Sequence, residues 1–177
     1  MDYVFVDRRI RLRFAEKEDA ALLVRFIYAL AEYESLLDRC YADEDGLKRF
    51  MFEEKKAEAL ICEYDETPVG FALFFHNFST FLGKAGIYVE DLFVLPEFRK
   101  RSLGRSMLAF LANLAVERGC SRLEWACLDW NEPSIAFYKK LGAQPLSEWT
   151  TYRVSGEELQ KLAGTLNGAC RSGRDGG

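Results

Sequence analysis

Two periods of apolar side chains alternate along the chain. Residues 9–14, RIRLRF, carry an apolar side chain at every second position, the pattern of a half-buried strand. From Glu16 to about Leu37 the period lengthens. Leu22, Leu23, Phe26, Ile27, Leu30 and Ala31 recur at three- and four-residue spacing, which predicts a long amphipathic helix. A shorter helix is predicted over residues 43–54. ALICEY (59–64) and VGFALFFHNF (69–78), separated by Asp65-Glu66-Thr67-Pro68, read as two antiparallel strands around a turn. GIYVEDLFVL (86–95) is a further strand, closed by Pro96.

Residues 104–118 return to the helical period, with Met107, Leu108, Leu111, Leu114 and Ala115 on one face and Arg118 and Gly119 as stop signals. RLEWACL (122–128) reads as a buried strand. NEPSIAFYKKLG (131–142) reads as a short helix opened by Asn131, with Pro133 in its first turn and Gly142 at its end. WTTYRV (149–154) is a last predicted strand, and residues 156–163 a small helix. The order β-α-α-β-β-β-α-β-α-β predicts one α/β domain over residues 1–164, a mixed central sheet flanked by helices. Residues 165–177, small and polar, read as a disordered tail.

Composition narrows the function classes. Hydrophobic residues make up 49% of the 177, a globular composition with room for one substantial core. The excess of 28 acidic over 24 basic side chains, a net charge of −4, argues against a general nucleic-acid binder. No apolar run is long enough to span a bilayer. The start, MDYVFVDRRI, lacks the basic, apolar and small-residue succession of an export signal, so a cytoplasmic location is expected. Five scattered cysteines without a C-x-x-C pair, beside a single histidine, predict reduced thiols and no metal site. His76, inside the aromatic run GFALFFHNF, reads as structural, and Cys127 as a core residue.

Candidate chemistry gathers around PEFRKRSLGRSML (96–108). A loop entering a helix presents unpaired backbone N–H groups and the positive end of the helix dipole, a combination that suits phosphate. Arg99, Lys100, Arg101 and Arg105 strengthen that preference, and Gly104 allows close approach of a ligand to the backbone. The loop by itself is equally compatible with a solvated, charged helix start.

Its neighbours extend the pattern. VEDLFVLPEFRKRSLGRSMLAFL resembles motif A of the GNAT acetyltransferase superfamily, whose Q/R-x-x-G-x-G/A loop holds the pyrophosphate of acetyl-CoA. Here the loop reads Arg99-x-x-Ser102-x-Gly104, with serine at the middle glycine position. WNEPSIAFYKKLGA (130–143) resembles motif B of the same superfamily. LAEYE (30–34), GFALFF (70–75), FLGK (81–84) and YVEDLFV (88–94) are similar, in the same order, to the diamine (spermidine/spermine) N-acetyltransferases and their thialysine-acetylating relatives. The resemblance spans about residues 9–163. It implies the GNAT (acyl-CoA N-acyltransferase) fold, acetyl-CoA as co-substrate, no metal, and a homodimer acting on a small amine without nucleic acid or membrane.

The resemblance also assigns roles. Acetyl transfer needs a neutral amine nitrogen, and deprotonating an alkylammonium at neutral pH costs about 4.6 kcal/mol. Glu90 corresponds to the glutamate that handles this proton and Asp91 to a substrate-holding carboxylate. In a regular strand, adjacent residues face opposite ways, so only one could line a cleft unless a bulge intervenes. Tyr138 is the candidate acid for the departing thiolate. The backbone of Leu92, Phe93 and Val94 would pair with the pantetheine arm. The loop Arg99, Lys100, Arg101, Ser102, Leu103, Gly104 and Arg105, with Asn131, would hold the rest of the cofactor. Tyr33, Glu34 and Phe81 are the candidate acceptor contacts. Ser79 and Phe81 stand where polyamine acetylases carry an acid and a tryptophan, which shifts the expected acceptor toward a short amine. Residues 32–45 hold six carboxylates against Arg39 and could form an acidic wall or a solvated face. Peptide or protein acetylation, and acyl-CoA binding without turnover, are the alternative functions.

Overall fold

The computed structural model describes residues 3–169. The chain divides after Leu128 into two compact units. The first carries a six-stranded sheet in sequential order: β1 (Tyr3–Phe5), β2 (Ile10–Phe14), β3 (Glu58–Tyr64), β4 (Thr67–Ser79), β5 (Lys84–Val94) and β6 (Leu123–Trp125). All neighbours are antiparallel except β5 and β6, which are parallel and joined through α3 (Leu103–Glu117). The predicted mixed sheet is present, with β1 added ahead of the first predicted strand.

Alternation along the strands sorts side chains onto two covered faces. Leu12, Leu60, Cys62, Ala72, Phe74, Ile87 and Val89 face α3, which contributes Leu103, Met107, Leu111, Leu114 and Ala115. Ala59, Ile61, Phe71 and Phe93 face the other way, onto Leu23 and Phe26 of α1 (Ala20–Tyr33) and onto Met51. Phe26 and Phe71 stack with ring centres 5.8 Å apart and planes 2° from parallel. Because both faces are covered, β3 reads as an apolar run over Ala59–Cys62, and Ala59–Tyr64 are buried throughout.

Between α1 and β3 lies α2 (Glu44–Leu47), which continues as a π-helical turn over Lys48–Glu53. The start of α1 is tied to the sheet by a buried charge network. Arg13 on β2 donates to both carboxylate oxygens of Asp19, at 2.6 and 2.8 Å, and through Nε to Glu63 at 3.0 Å. Glu63 also pairs with Arg11.

The second unit contains α4 (Glu132–Lys140) and α5 (Gly156–Ala169). Two predicted strands differ from the structure. Only Leu123–Trp125 of RLEWACL pairs with β5, and these residues are half-buried. WTTYRV forms no strand, and Trp149 and Tyr152 are 75% and 90% exposed. A strand obtains its hydrogen bonds from a neighbour, and among the described residues none pairs with this segment. Helix α5 extends through Ala169, into the stretch read as tail; residues 170–177 lie outside the described residues. Cys62 is buried, and Cys40, Cys120 and Cys127 are half-buried. No described helix is long and apolar enough to cross a membrane.

Candidate active site

β5 is irregular where its acidic pair lies. Leu73 of β4 pairs with Asp91 and Phe74 with Val89, leaving Glu90 as an extra residue in the ladder. Such a bulge resets the alternation of side chains. Ile87 and Val89 point into the α3-side core. Beyond the bulge Leu92 and Val94 pack on that same face, whereas Phe93 packs on the α1 side. Asp91 therefore turns toward the α1 face with Phe93. Glu90 is exposed and Asp91 half-buried.

Tyr33 and Glu34 meet this region from α1. The helix stops at Ser35, whose φ of 59° is left-handed. The Ser35 N–H donates to the Glu32 carbonyl at 3.0 Å and the Leu36 N–H to Ala31 at 2.8 Å, a Schellman closure that fixes Glu34 at the helix end. Both Tyr33 and Glu34 are half-buried. Burial raises the Glu34 carboxyl above its ordinary range. Burial, and then the charges of Glu90 and Glu34, push Asp91 up to about 6. Strand and helix thus gather three carboxylates within electrostatic reach, an arrangement that favours a cation.

The rest of the acidic wall does not join them. Glu32, Asp38, Asp43, Glu44 and Asp45 are exposed. Asp43 caps α2 by accepting from the Gly46 N–H at 2.6 Å, and Glu44 pairs with Lys48 at 3.0 Å. Phe81 sits apart too, 94% exposed at the tip of the β4–β5 hairpin. The buried Ser79 accepts from the Leu82 N–H at 3.3 Å and shapes that turn. Along β5 the hairpin end at Lys84 is roughly 20 Å from Asp91.

One edge of β5 is open beside the carboxylates. β6 pairs only with Ile87–Val89, and among the described residues no strand continues that ladder over Glu90–Val94. The Leu95 N–H donates to Val69 in β4 at 2.9 Å, so by alternation the peptide groups of Phe93 also face β4, and those of Leu92 and Val94 face the open edge. Of the three backbone positions singled out in the sequence, two are presented for pairing. Phe93 contributes its ring to the core.

The basic loop follows a 3₁₀ turn at Pro96–Phe98 and enters α3 at Ser102. Lys100 and Ser102 both have φ of 64°, a left-handed conformation that favours glycine. Ser102 makes no side-chain capping bond, so the first turn of α3, at Leu103, Gly104 and Arg105, keeps its N–H groups for another acceptor. The four cations split into two pairs. Lys100 and Arg105 are exposed, as is Arg101, which nevertheless has a partner. Arg101 donates to the Tyr64 hydroxyl at 3.2 Å with its guanidinium 5.0 Å from that ring centre. Arg99 turns back to the strand, donating through Nε to the Val94 carbonyl at 3.0 Å. Tyr64 was not singled out in the sequence; its partner Arg101 is 37 residues away, and no local signal links them.

In the second unit, Asn131 caps α4 as expected, its Oδ1 accepting from the Ser134 N–H at 3.3 Å. Tyr138 is half-buried, its ring 5.3 Å from that of Phe137. Its carbonyl accepts from Leu141 and Ala143 at the closure around Gly142, whose φ is 86°.

Residues 24–143 match the Acetyltransferase (GNAT) family. The chain is 36% identical over 167 residues to the thialysine N-epsilon-acetyltransferase of Bos taurus, covering 88% of this chain and 98% of that protein. It is 28% identical to an L-ornithine N5-acetyltransferase of Arabidopsis thaliana, covering 86% and 87%. An integron cassette protein from the mobile metagenome of V. cholerae superposes with a TM-score of 0.75 at 26% identity, covering 89% of this chain and 99% of that one.

Proposed function

Because the chain belongs to the GNAT acetyltransferase family, we propose that it acetylates a primary amine of a small acceptor at the expense of acetyl-CoA, by direct transfer in a ternary complex. The acceptor is a diamine, a polyamine or an amino acid of the thialysine and lysine type; the thialysine and L-ornithine acetyltransferases among the relatives support the amino-acid member of that set. The observation that carries this reading is the bulge in β5, which turns Asp91 toward Glu34 immediately beside an open strand edge and a helix N-terminus.

Acetyl-CoA supplies an activated acyl group. In the proposed roles, Leu92 and Val94 offer peptide groups to its amide arm, and Leu103, Gly104 and Arg105 offer N–H groups to its phosphates. Glu34 and Asp91 hold the cationic end of the acceptor. Glu90, exposed and so in contact with water, takes the proton from the attacking nitrogen. A nitrogen–carbon bond would form as the carbon–sulfur bond breaks, and the departing sulfur would take a proton from a phenol, the role that the family resemblance gives to Tyr138. The chain acts as a homodimer in this proposal. Phe81, at the hairpin tip, fits an acceptor role only in the site of a second copy.

The test is thiol release from acetyl-CoA over putrescine, spermidine, spermine, lysine, thialysine and a basic peptide. Turnover confined to one or two small amines is expected. Preference for the peptide would overturn the acceptor class.

A further inference from the structure

Arg99 stands between the two halves of the site. Its Nε donates to the Val94 carbonyl at 3.0 Å, one of the peptide groups on the open edge of β5. Its guanidinium carbon lies 4.2 Å from the centre of the Tyr33 ring and 5.8 Å from that of Phe93. One side chain thus covers a hydrogen-bond acceptor on the edge proposed for the cofactor and a ring on the side proposed for the amine. It also puts a fixed positive charge over Tyr33, whose neighbour Glu34 shares a field with Asp91 and Glu90.

We propose that Arg99 is a two-position latch that couples the cofactor and acceptor halves of the site. In the position seen here it is docked on Val94 and Tyr33. When acetyl-CoA or CoA pairs with the edge of β5, an amide of the ligand takes the Val94 carbonyl, and Arg99 swings from its loop toward the incoming phosphates. The Tyr33 ring is then uncovered for the acceptor. The amine consequently binds the cofactor complex more tightly than the free enzyme, by about tenfold, and the coupling is reciprocal. Arg99 acts here as a positioning residue, through Tyr33 and the strand edge. Lysine, lacking the planar guanidinium, could carry the charge but not the stacked position.

The inference rests on the proposed use of acetyl-CoA, and one titration separates the two. Arginine Nε–H signals are followed by ¹⁵N NMR on the whole chain, with CoA as the probe. The Arg99 signal is identified by its absence in Arg99→Lys. In the free protein it is shifted by the Tyr33 ring current, a shift that Tyr33→Leu removes, and it exchanges with solvent about tenfold more slowly than exposed arginines. Saturating CoA is expected to abolish both the shift and the protection. CoA binding itself is read from the backbone amides of Leu103, Gly104 and Arg105. Movement of those amides with an unchanged Arg99 signal would overturn the latch alone. No movement of either would overturn the latch together with the proposed cofactor.

Discussion

Buried beside the charges of Glu34 and Glu90, the Asp91 carboxyl keeps its proton to about pH 6. An unfolded aspartate loses its proton near pH 4, so between about pH 4 and 6 the folded state binds more protons than the unfolded one. Stability therefore falls as pH rises through that window, because the charged form is disfavoured in the fold. Asp91→Asn, which cannot ionise, is expected to be more stable than the parent by about 3 kcal/mol at pH 7 and equal to it at about pH 4. Urea unfolding at the two pH values checks this, and an equal gap at both would remove the electrostatic explanation. Ser102 gives a second case. It holds a φ of 64° without a capping bond, so Ser102→Gly relieves strain and sacrifices no capping hydrogen bond. A gain of about 0.5–1 kcal/mol is expected, read as a higher urea midpoint at unchanged slope. The departure of this loop from its family's glycine pattern is visible in the sequence. The matching left-handed Lys100 was not, because nothing local marks a lysine as left-handed.

At the scale of elements, the bulge in β5 decides which side chains meet. The acidic pair was legible as residues, and the need for a bulge was legible as geometry. Its position at Glu90 emerges only from the pairing of β4 with β5. That pairing is close at Gly70, where an added Cβ would lie 2.4 Å from the Phe93 carbonyl oxygen and 3.2 Å from the Val94 Cα. Neither backbone atom can swing aside as a side chain can. Gly70→Ala is therefore expected to cost about 2–3 kcal/mol and to lower affinity for CoA, since Phe93 and Val94 border the open edge. Calorimetric titration with CoA, beside urea unfolding, reads both effects; unchanged CoA affinity would separate this contact from the cofactor edge. The buried network at the start of α1 makes a similar demand. Glu63→Gln removes the charge that Arg11 and Arg13 share at this position, although Arg13 keeps Asp19, and a loss of about 2–3 kcal/mol is expected by the same unfolding assay. The α3 face was read correctly from its period, since Met107, Leu108, Leu111, Leu114 and Ala115 are all buried. WTTYRV was read as a strand from alternation, a signal that states what a segment could pair with but not whether a neighbour is present.

At the scale of the whole molecule, the mixed sheet and the order of helices and strands as far as β6 followed from periodicity, because a two-layered cover on a central sheet imposes a distinct pattern on each element. The assignment of chemistry needed long-range pairings. Six acidic residues are close in sequence from Glu32 to Asp45, yet only Glu34 shares a field with Asp91, over a separation of 57 residues. Charge density along the chain could not make that selection. The central claim is that this arrangement transfers an acetyl group to a small amine. It is tested most directly by supplying acetyl-CoA with isotopic label in the acetyl carbonyl, together with thialysine, lysine, spermidine and putrescine, and following the label by mass spectrometry. The predicted result is label on the nitrogen of one or two of these amines, with one free CoA thiol for each labelled product. Binding of acetyl-CoA with the label remaining on sulfur in the presence of every amine would contradict it.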